Sequence, residues 1–219
     1  MREMFATIAP RYDFVTRAFS LGFDSRWKQF AVKKASLLEG SLVLDLASGT
    51  GDFSQLVHQL VPTAKTVAVD LTEQMLHKAR VRGLADLICA DAAALPFADG
   101  SFACVFIGYG LRNFPDLAVA LREIARVTRS GGLMVSLDFF LPANRIRRLL
   151  YLGPMYAVCG FWGLLLHGRP SIYTYIPDSL RSFISMEDFS SLLRRMGYAH
   201  VDARAHNSGV IGLHWATKE

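Results

Sequence analysis

Residues 42–52 read Leu42-Val43-Leu44-Asp45-Leu46-Ala47-Ser48-Gly49-Thr50-Gly51-Asp52. The run at 42–46, bounded by Gly40 and Gly49, has the length and apolar character of a strand buried on both faces. Residues 52–60 follow with Phe53, Leu56, Val57 and Leu60 at helical spacing. Between the two, Gly49 and Gly51 permit a tight turn and a close approach of backbone to a ligand. Amides at the start of the helix then face whatever binds there. Ser54 stands where a dinucleotide loop has its third glycine, and no Lys-Ser/Thr pair follows, which excludes a P-loop.

Outward from this turn, strands and helices alternate. Further strands are expected at 66–69, 85–90, 104–107 and 133–139, the last entered through a turn at Gly131-Gly132. Helices are expected at 73–82, with Thr72 as cap and Gly83 as stop, and at 117–127. Such alternation implies right-handed crossovers and a parallel sheet covered on both faces. Two helices are expected in residues 1–40, the second carrying Trp27, Phe30, Ala31 and Lys34 and ending at Gly40. A helix at 186–196 capped by Ser185 precedes a hairpin of 201–205 with 210–216, turning through His206-Asn207-Ser208-Gly209. The expectation is a single domain over 1–219. It comprises a helical cap (1–40), a ligand-binding half (41–140), an apolar insertion (141–184) and a closing helix and hairpin (185–219).

Composition narrows the partners. Hydrophobic residues make up 52% and charged residues 20%, too apolar for a disordered chain and suggestive of a greasy surface or ligand. The 24 basic and 19 acidic residues leave a charge of +5, suited to an anionic membrane surface or ligand. No Lys/Arg stripe with interleaved aromatics argues for nucleic acid. Three cysteines without a CxxC pair, and histidines without HxxxH spacing, point to no metal. Cys89 and Cys104 read as buried small hydrophobes. The first ten residues lack a signal-peptide layout, so a cytoplasmic location is expected.

Residues 149–166 carry no charge over 18 positions and are flanked by Arg145, Arg147, Arg148 and Arg169. That is at the short edge of the roughly 20 residues a bilayer crossing needs. Gly153-Pro154 is expected to break or kink a helix there. If the strands on either side share one sheet, a single crossing would divide that sheet between the two sides of the membrane. A helical lid resting on lipid fits the pattern, and a buried core helix fits it equally.

Two carboxylates join the glycine turn. Asp70 ends the second strand, 25 residues after Asp45, and Asp91 ends the third, 21 residues later, followed by Ala92. A carboxylate at the first position can accept from both hydroxyls of a ribose. One at the second can accept from an adenine amino group while the next N–H serves a ring nitrogen. Either Asp alone reads as a turn or cap; together with the glycine turn they outline an adenosine site.

With these residues the chain resembles class I S-adenosylmethionine-dependent methyltransferases, through Asp45-x-Ala47-x-Gly49-x-Gly51, Asp70, Asp91-Ala92 and Leu95-Pro96-Phe97. More closely it resembles their UbiE/MenG/Coq5 branch of quinone C-methyltransferases. That likeness rests on Tyr12-Asp13, Ser20 and Trp27, on Gly110-Leu111-Arg112-Asn113, on Arg126-Val127 with Gly131-Gly132, on Tyr173-x-Tyr175-x-x-x-Ser179-Leu180, and on residues 209–214. It departs from the branch at Val15-Thr16, where the branch has Met-Asn, at Asp24 in place of a histidine, at Asp138 in place of a glutamate, and at Arg129-Ser130 in place of Lys-Pro.

The resemblance implies an α/β, Rossmann-like fold with a seven-stranded, mostly parallel sheet of order 3-2-1-4-5-7-6, helices on both faces and a helical insertion after strand five. It implies S-adenosyl-L-methionine as cofactor, contacted through Asp45, Gly49, Thr50, Gly51, Asp70, Asp91, Ala92 and Gly108. It implies methylation of a polyprenyl quinol in menaquinone or ubiquinone biosynthesis, with Arg112, Asn113 and Tyr12 at the reacting centre. His214 is another candidate proton acceptor, although a single histidine on a strand is more often structural. The acceptor stays open between naphthoquinol, benzoquinol and another hydrophobic phenol, and a non-catalytic cofactor-binding scaffold is the rival reading. Peripheral attachment to the inner face of the membrane follows from the insertion, and a homodimer is left open.

Overall fold

The computed structural model describes residues 22–206 and 209–219. Within them the chain runs α1 (Asp24–Ala35), β1 (Leu42–Leu46), α2 (Asp52–Leu60), β2 (Lys65–Asp70), α3 (Glu73–Val81), β3 (Leu87–Cys89) and β4 (Phe102–Gly108). A 3-10 turn (Leu111–Asn113) leads to α4 (Leu117–Val127), β5 (Thr128–Phe139), α5 (Arg145–His167), α6 (Ser171–Arg181), α7 (Met186–Arg195), β6 (Tyr198–His206) and β7 (Ile211–Lys218).

The strands form one sheet of order β3-β2-β1-β4-β5-β7-β6, as expected. The first five are parallel, and β7 pairs antiparallel with both β5 and β6. Strand periodicity sends alternate residues to two apolar layers. Val43, Cys104 and Phe106 face the layer built with α1, α2, α5 and α6. Leu44, Val105 and Ile107 face the layer built with α4 and α7. Central strands are therefore apolar without alternation, which is why their sequence runs were continuous.

Several boundaries differ from expectation for identifiable reasons. β5 begins at Thr128, opposite Phe102, and re-enters register only at Leu133 opposite Cys104. The Gly131-Gly132 turn is thus an outward loop within the strand's span, with Gly131 at φ +70°. β3 is a three-residue edge strand, so Cys89 is exposed, whereas Cys104 in the central β4 is buried. The Thr72 hydroxyl does not cap α3; Asp70 draws it instead. Asp116, Asn144 and Ser185 do cap α4, α5 and α7 through their side chains. Tyr12 and the Asn207-Ser208 turn fall outside the described residues.

α5 runs unbroken through Pro154. A proline ring disfavours helical geometry partly by meeting the Cβ of the preceding residue; here that residue is Gly153, which has none. By length and composition α5 could cross a membrane, with mean hydropathy 1.6 over Arg145–Leu166, yet only 11% of that apolar window is buried. It is not a core helix. Nor can it be a lone crossing, because β5 before it and β7 after it pair in one sheet. α5 and α6 make a helical hairpin, Met155, Cys159 and Tyr173 being its inward residues. The hairpin's ends meet where the Leu141 N–H donates to the Ile184 carbonyl at 3.2 Å.

The hairpin's tight return depends on Gly163. A Cβ there would stand 2.7 Å from the carbonyl oxygens of both Arg169 and Pro170. Gly163→Ala is expected to destabilise the protein by about 1–3 kcal/mol despite alanine's better helix propensity. Thermal unfolding checks this, at about 2–4 °C per kcal/mol for a chain of this size; a raised melting temperature would contradict it.

Candidate active site

The glycine turn sits at the carboxyl ends of β1 and β2. Ala47 (φ +52°), Gly49 (φ +56°) and Gly51 (φ +82°) are left-handed, which folds the loop back on itself. The Ser48 N–H donates to the Val69 carbonyl at 3.0 Å and the Gly51 N–H to the Ser48 carbonyl at 2.9 Å. Gly51 has a second reason to lack a side chain, since a Cβ would lie 2.1 Å from Leu84 Cδ1. From outside, the Arg82 guanidinium grips Thr50, donating to its hydroxyl at 2.7 Å and its carbonyl at 3.1 Å. The same group pairs with Asp52 at 2.8 Å.

Asp70 ties the loop to the neighbouring strand. Its Oδ2 accepts the Gly49 N–H and its Oδ1 the Thr72 N–H, both at 2.8 Å. Burial raises its pKa, against the pull of these donors. The carboxylate keeps lone pairs for a ligand hydroxyl. Asp91 is exposed, and its Oδ1 accepts the local Ala93 N–H at 2.9 Å. Asp45 turns inward: its Oδ2 takes the N–H and the hydroxyl of Ser54 at 2.9 and 2.8 Å. It is 2% exposed, and burial pushes its pKa up to about 7.

A cleft open to solvent lies between these strand ends and the turn after β4. Of the residues expected to hold a cofactor, Gly49, Asp70, Asp91, Ala92 and Gly108 line it, and so does Asn113. Asp45, Thr50 and Gly51 stand behind the wall as its frame. Leu71, Met75, Tyr109 and Phe114 also line it and were not singled out in the sequence. Leu71 and Tyr109 directly follow residues that were, and that adjacency was the available signal. Apolar walls with a carboxylate at either side suit a nucleoside, and the backbone-lined turn suits a polar tail beside it.

Arg112 and Asp138 form a buried ion pair. The side chains are 4% and 0% exposed, and Nη1 meets Oδ1 at 2.5 Å. Asp138 also accepts the N–H groups of Leu111 and Phe139, each at 2.8 Å. Arg112 Nε donates to Ser179 of α6 at 3.2 Å, and its guanidinium lies 5.0 Å from the Phe139 ring centroid. Tyr151, Cys159 and Tyr175 surround this pair. Burial raises all three pKa values, those of Tyr151 and Cys159 to about 12, while the Arg112 charge draws them down.

His214 does not line the cleft. It is 1% exposed, its ring lies 4.9 Å from those of Phe140 and Phe189, and Nε2 is 3.4 Å from the Met186 carbonyl. Burial lowers its pKa to about 4, so it is neutral at pH 7. Among the described residues no group of His, Cys, Asp and Glu could hold a metal ion.

A sheet of this order, a glycine turn after β1 and acidic residues ending β2 and following β3 define a class I methyltransferase that uses S-adenosylmethionine. The chain belongs to the ubiE/COQ5 methyltransferase family, whose sequence model matches residues 1–218. It is 37% identical over 227 aligned residues to a Desulfotalea psychrophila protein named ubiquinone/menaquinone biosynthesis C-methyltransferase UbiE, covering 100% of this chain and 90% of that one. It is 38% identical to the demethylmenaquinone methyltransferase of Thermus thermophilus, over 96% and 98% of the two chains. Solved structures agree in fold. A SAM-dependent methyltransferase of Thermotoga maritima superposes with TM-score 0.71 at 21% identity, over 100% of both chains. One of Aquifex aeolicus gives 0.60 at 16%, over 87% and 89%.

Two buried groups respond to pH with opposite sign. His214 binds its proton less readily folded than unfolded, so its contribution to stability is lost as pH falls from 6.5 towards 4, on the order of 3 kcal/mol in full. Asp45 is raised, so the stability it lends is present below 3.8 and lost as pH rises through 7. Melting curves from pH 4.5 to 8 should therefore separate two variants. His214→Gln flattens the acid limb, whereas Asp45→Asn, which still accepts from Ser54, gains stability over wild type at pH 8 and not at pH 4.5. Parallel shifts of all three curves would refute the assignment.

Proposed function

We propose that the protein methylates a ring carbon of a polyprenylated hydroquinone, converting demethylmenaquinol to menaquinol or acting on the corresponding benzoquinol. The observation carrying this is the full-length match to the family and to relatives named for that step. When bound, S-adenosylmethionine supplies an electrophilic methyl group on a sulfonium centre. In this reading Asp70 accepts from the ribose hydroxyls, and Asp91 with the Ala92 N–H holds the adenine. Gly49 and Gly108 let the backbone close on the cofactor. Asp45, Thr50 and Gly51 fix the turn from behind.

The acceptor must be positioned and made electron-rich. A phenolic hydroxyl titrates near 10, so losing its proton at neutral pH needs a nearby positive charge or acceptor. Arginine is a poor base because it stays protonated. Arg112 instead acts as a fixed cation, held in place by Asp138 and Ser179. Asn113 presents Oδ1, a buried acceptor without a hydrogen-bond partner among the described residues, at the cleft wall. It orients the acceptor's hydroxyl. Tyr12 borders the ring in the family's pattern.

A polyprenyl tail reaches the site from lipid. On α5, Leu149, Leu150, Phe161, Leu164 and Leu165 are each about three-fifths exposed or more, and Arg145 and Arg147 are exposed beside them. Apolar side chains with basic neighbours suit the interface of an anionic membrane. These features support a peripheral position on the inner membrane face, with the hairpin as the tail's wall.

Purified protein, labelled S-adenosylmethionine and reduced demethylmenaquinone in detergent should yield a quinone heavier by one methylene. Arg112→Lys, which still offsets the Asp138 charge, should lower the rate at least about hundredfold with the fold intact; cofactor binding without any lipid product would sink the reading. Replacing Arg145 and Arg147 by alanine should weaken binding to anionic vesicles in low salt, by about 1 kcal/mol per arginine at most. Unchanged flotation would remove the membrane assignment.

A further inference from the structure

Asp24 opens α1, far along the chain from the cleft, yet it is only 6% exposed. Its carboxylate serves two partners. Oδ2 meets Lys28 Nζ at 2.8 Å, and Oδ1 accepts the Tyr109 hydroxyl at 2.8 Å. Lys28 also pairs with Asp52 at the start of α2, at 2.7 Å. Burial works against the Lys28 charge, but Asp52 and Asp24 outweigh it and raise its pKa.

Tyr109 is a cleft residue held in an unfavourable backbone conformation. Its φ is +58°, a left-handed value that costs an L side chain about 1–2 kcal/mol. Such a conformation persists only where surrounding contacts determine it. Here the Tyr109 N–H donates to the Leu137 carbonyl at 2.7 Å, the ring lies 5.3 Å from that of Phe139, and the Lys28 ammonium stands 5.6 Å from its centroid. The phenol is fastened to Asp24.

The consequence reaches Asn113. Its Nδ2 donates to the Tyr109 carbonyl at 3.1 Å, which fixes the orientation of the amide. The remaining Oδ1 is buried and has no partner among the described residues. A buried acceptor left so costs about 1–3 kcal/mol unless a ligand donates to it. We infer that Asp24 is a positioning residue: through the Tyr109 phenol it holds the backbone at 109 left-handed, and the Tyr109 carbonyl then aims Asn113 Oδ1 at the acceptor's hydroxyl. This rests on the functional reading above for the identity of the acceptor alone. The histidine that the resemblance places at position 24 could not offer two oxygens to Lys28 and Tyr109 at once, so the arrangement belongs to a carboxylate there.

The test compares Tyr109→Phe, Asp24→Ala and Asp24→Asn with wild type. In isotope-labelled protein without acceptor, the Asn113 side-chain amide signals should be slow to exchange in wild type. They should move and exchange fast in Tyr109→Phe and Asp24→Ala. With reduced demethylmenaquinone, kcat should fall about tenfold or more in those two variants, as misplacement of an orienting group predicts. Affinity for S-adenosylhomocysteine should stay within about twofold. Asp24→Asn keeps an oxygen for the phenol and should restore both the amide signals and most of kcat. A merely structural role would lower the melting temperature of all three and leave kcat of the folded protein unchanged. Amide signals unmoved by Tyr109→Phe, or kcat retained in Asp24→Ala, overturn the inference. A wild-type enzyme inert towards the quinol would instead defeat the functional reading, and the amide signals would still decide the role of Asp24.

Discussion

The ion pair of Arg112 and Asp138 sets the position of everything on the acceptor side. Two charges this deep are tolerable only when each has its hydrogen bonds met, because desolvation otherwise exceeds their attraction. Asp138 meets the condition with the guanidinium and two backbone N–H groups, and those N–H groups belong to the turn after β4 and to the end of β5. The pair therefore fixes where the chain leaves the sheet, and with it Asn113 and Phe114 on the cleft wall. Ser179 extends the hold to α6. Cleft, strand ends and hairpin share one electrostatic anchor.

On the donor side a different economy applies. Asp70 and Asp45 are both carboxylates at strand ends, yet one faces the cleft and the other the interior. The buried one is satisfied by Ser54, the residue that excluded a dinucleotide loop. The position lost to a third glycine thus supplies the two donors that keep Asp45 in place. Arg82, at the end of α3, clamps the same loop from outside.

The alternation of strands and helices was legible because buried parallel strands leave continuous apolar runs and because Gly49, Gly51, Asp70 and Asp91 fall at the strand ends; the strand order came only from the family resemblance. Helix caps at Ser185 followed from local chemistry. What could not be read depended on contacts distant in sequence. Helix α6 was hidden because Pro170 precedes it and Pro177 lies within it, and Pro154 concealed the continuity of α5 because relief comes from its neighbour's missing side chain. The bond from Asp24 to Tyr109 spans 85 positions and leaves no periodicity to detect. Arg112 was visible as a motif residue, but its commitment to Asp138 was not, since a carboxylate near the end of strand five has no sequence mark distinguishing partner from bystander.

The bond between Leu141 and Ile184 closes the helical hairpin at its base, so the segment between them enters and leaves the sheet almost at one point. Closing such a loop has an entropy cost that grows only slowly with its length. The hairpin is accordingly a module: chain could be lengthened, shortened or exchanged there while strands β1 to β5 keep their register. With the hairpin walling the acceptor's tail as proposed, selection acting on this one excursion would change which acceptor is admitted and leave the strand ends around the cleft untouched.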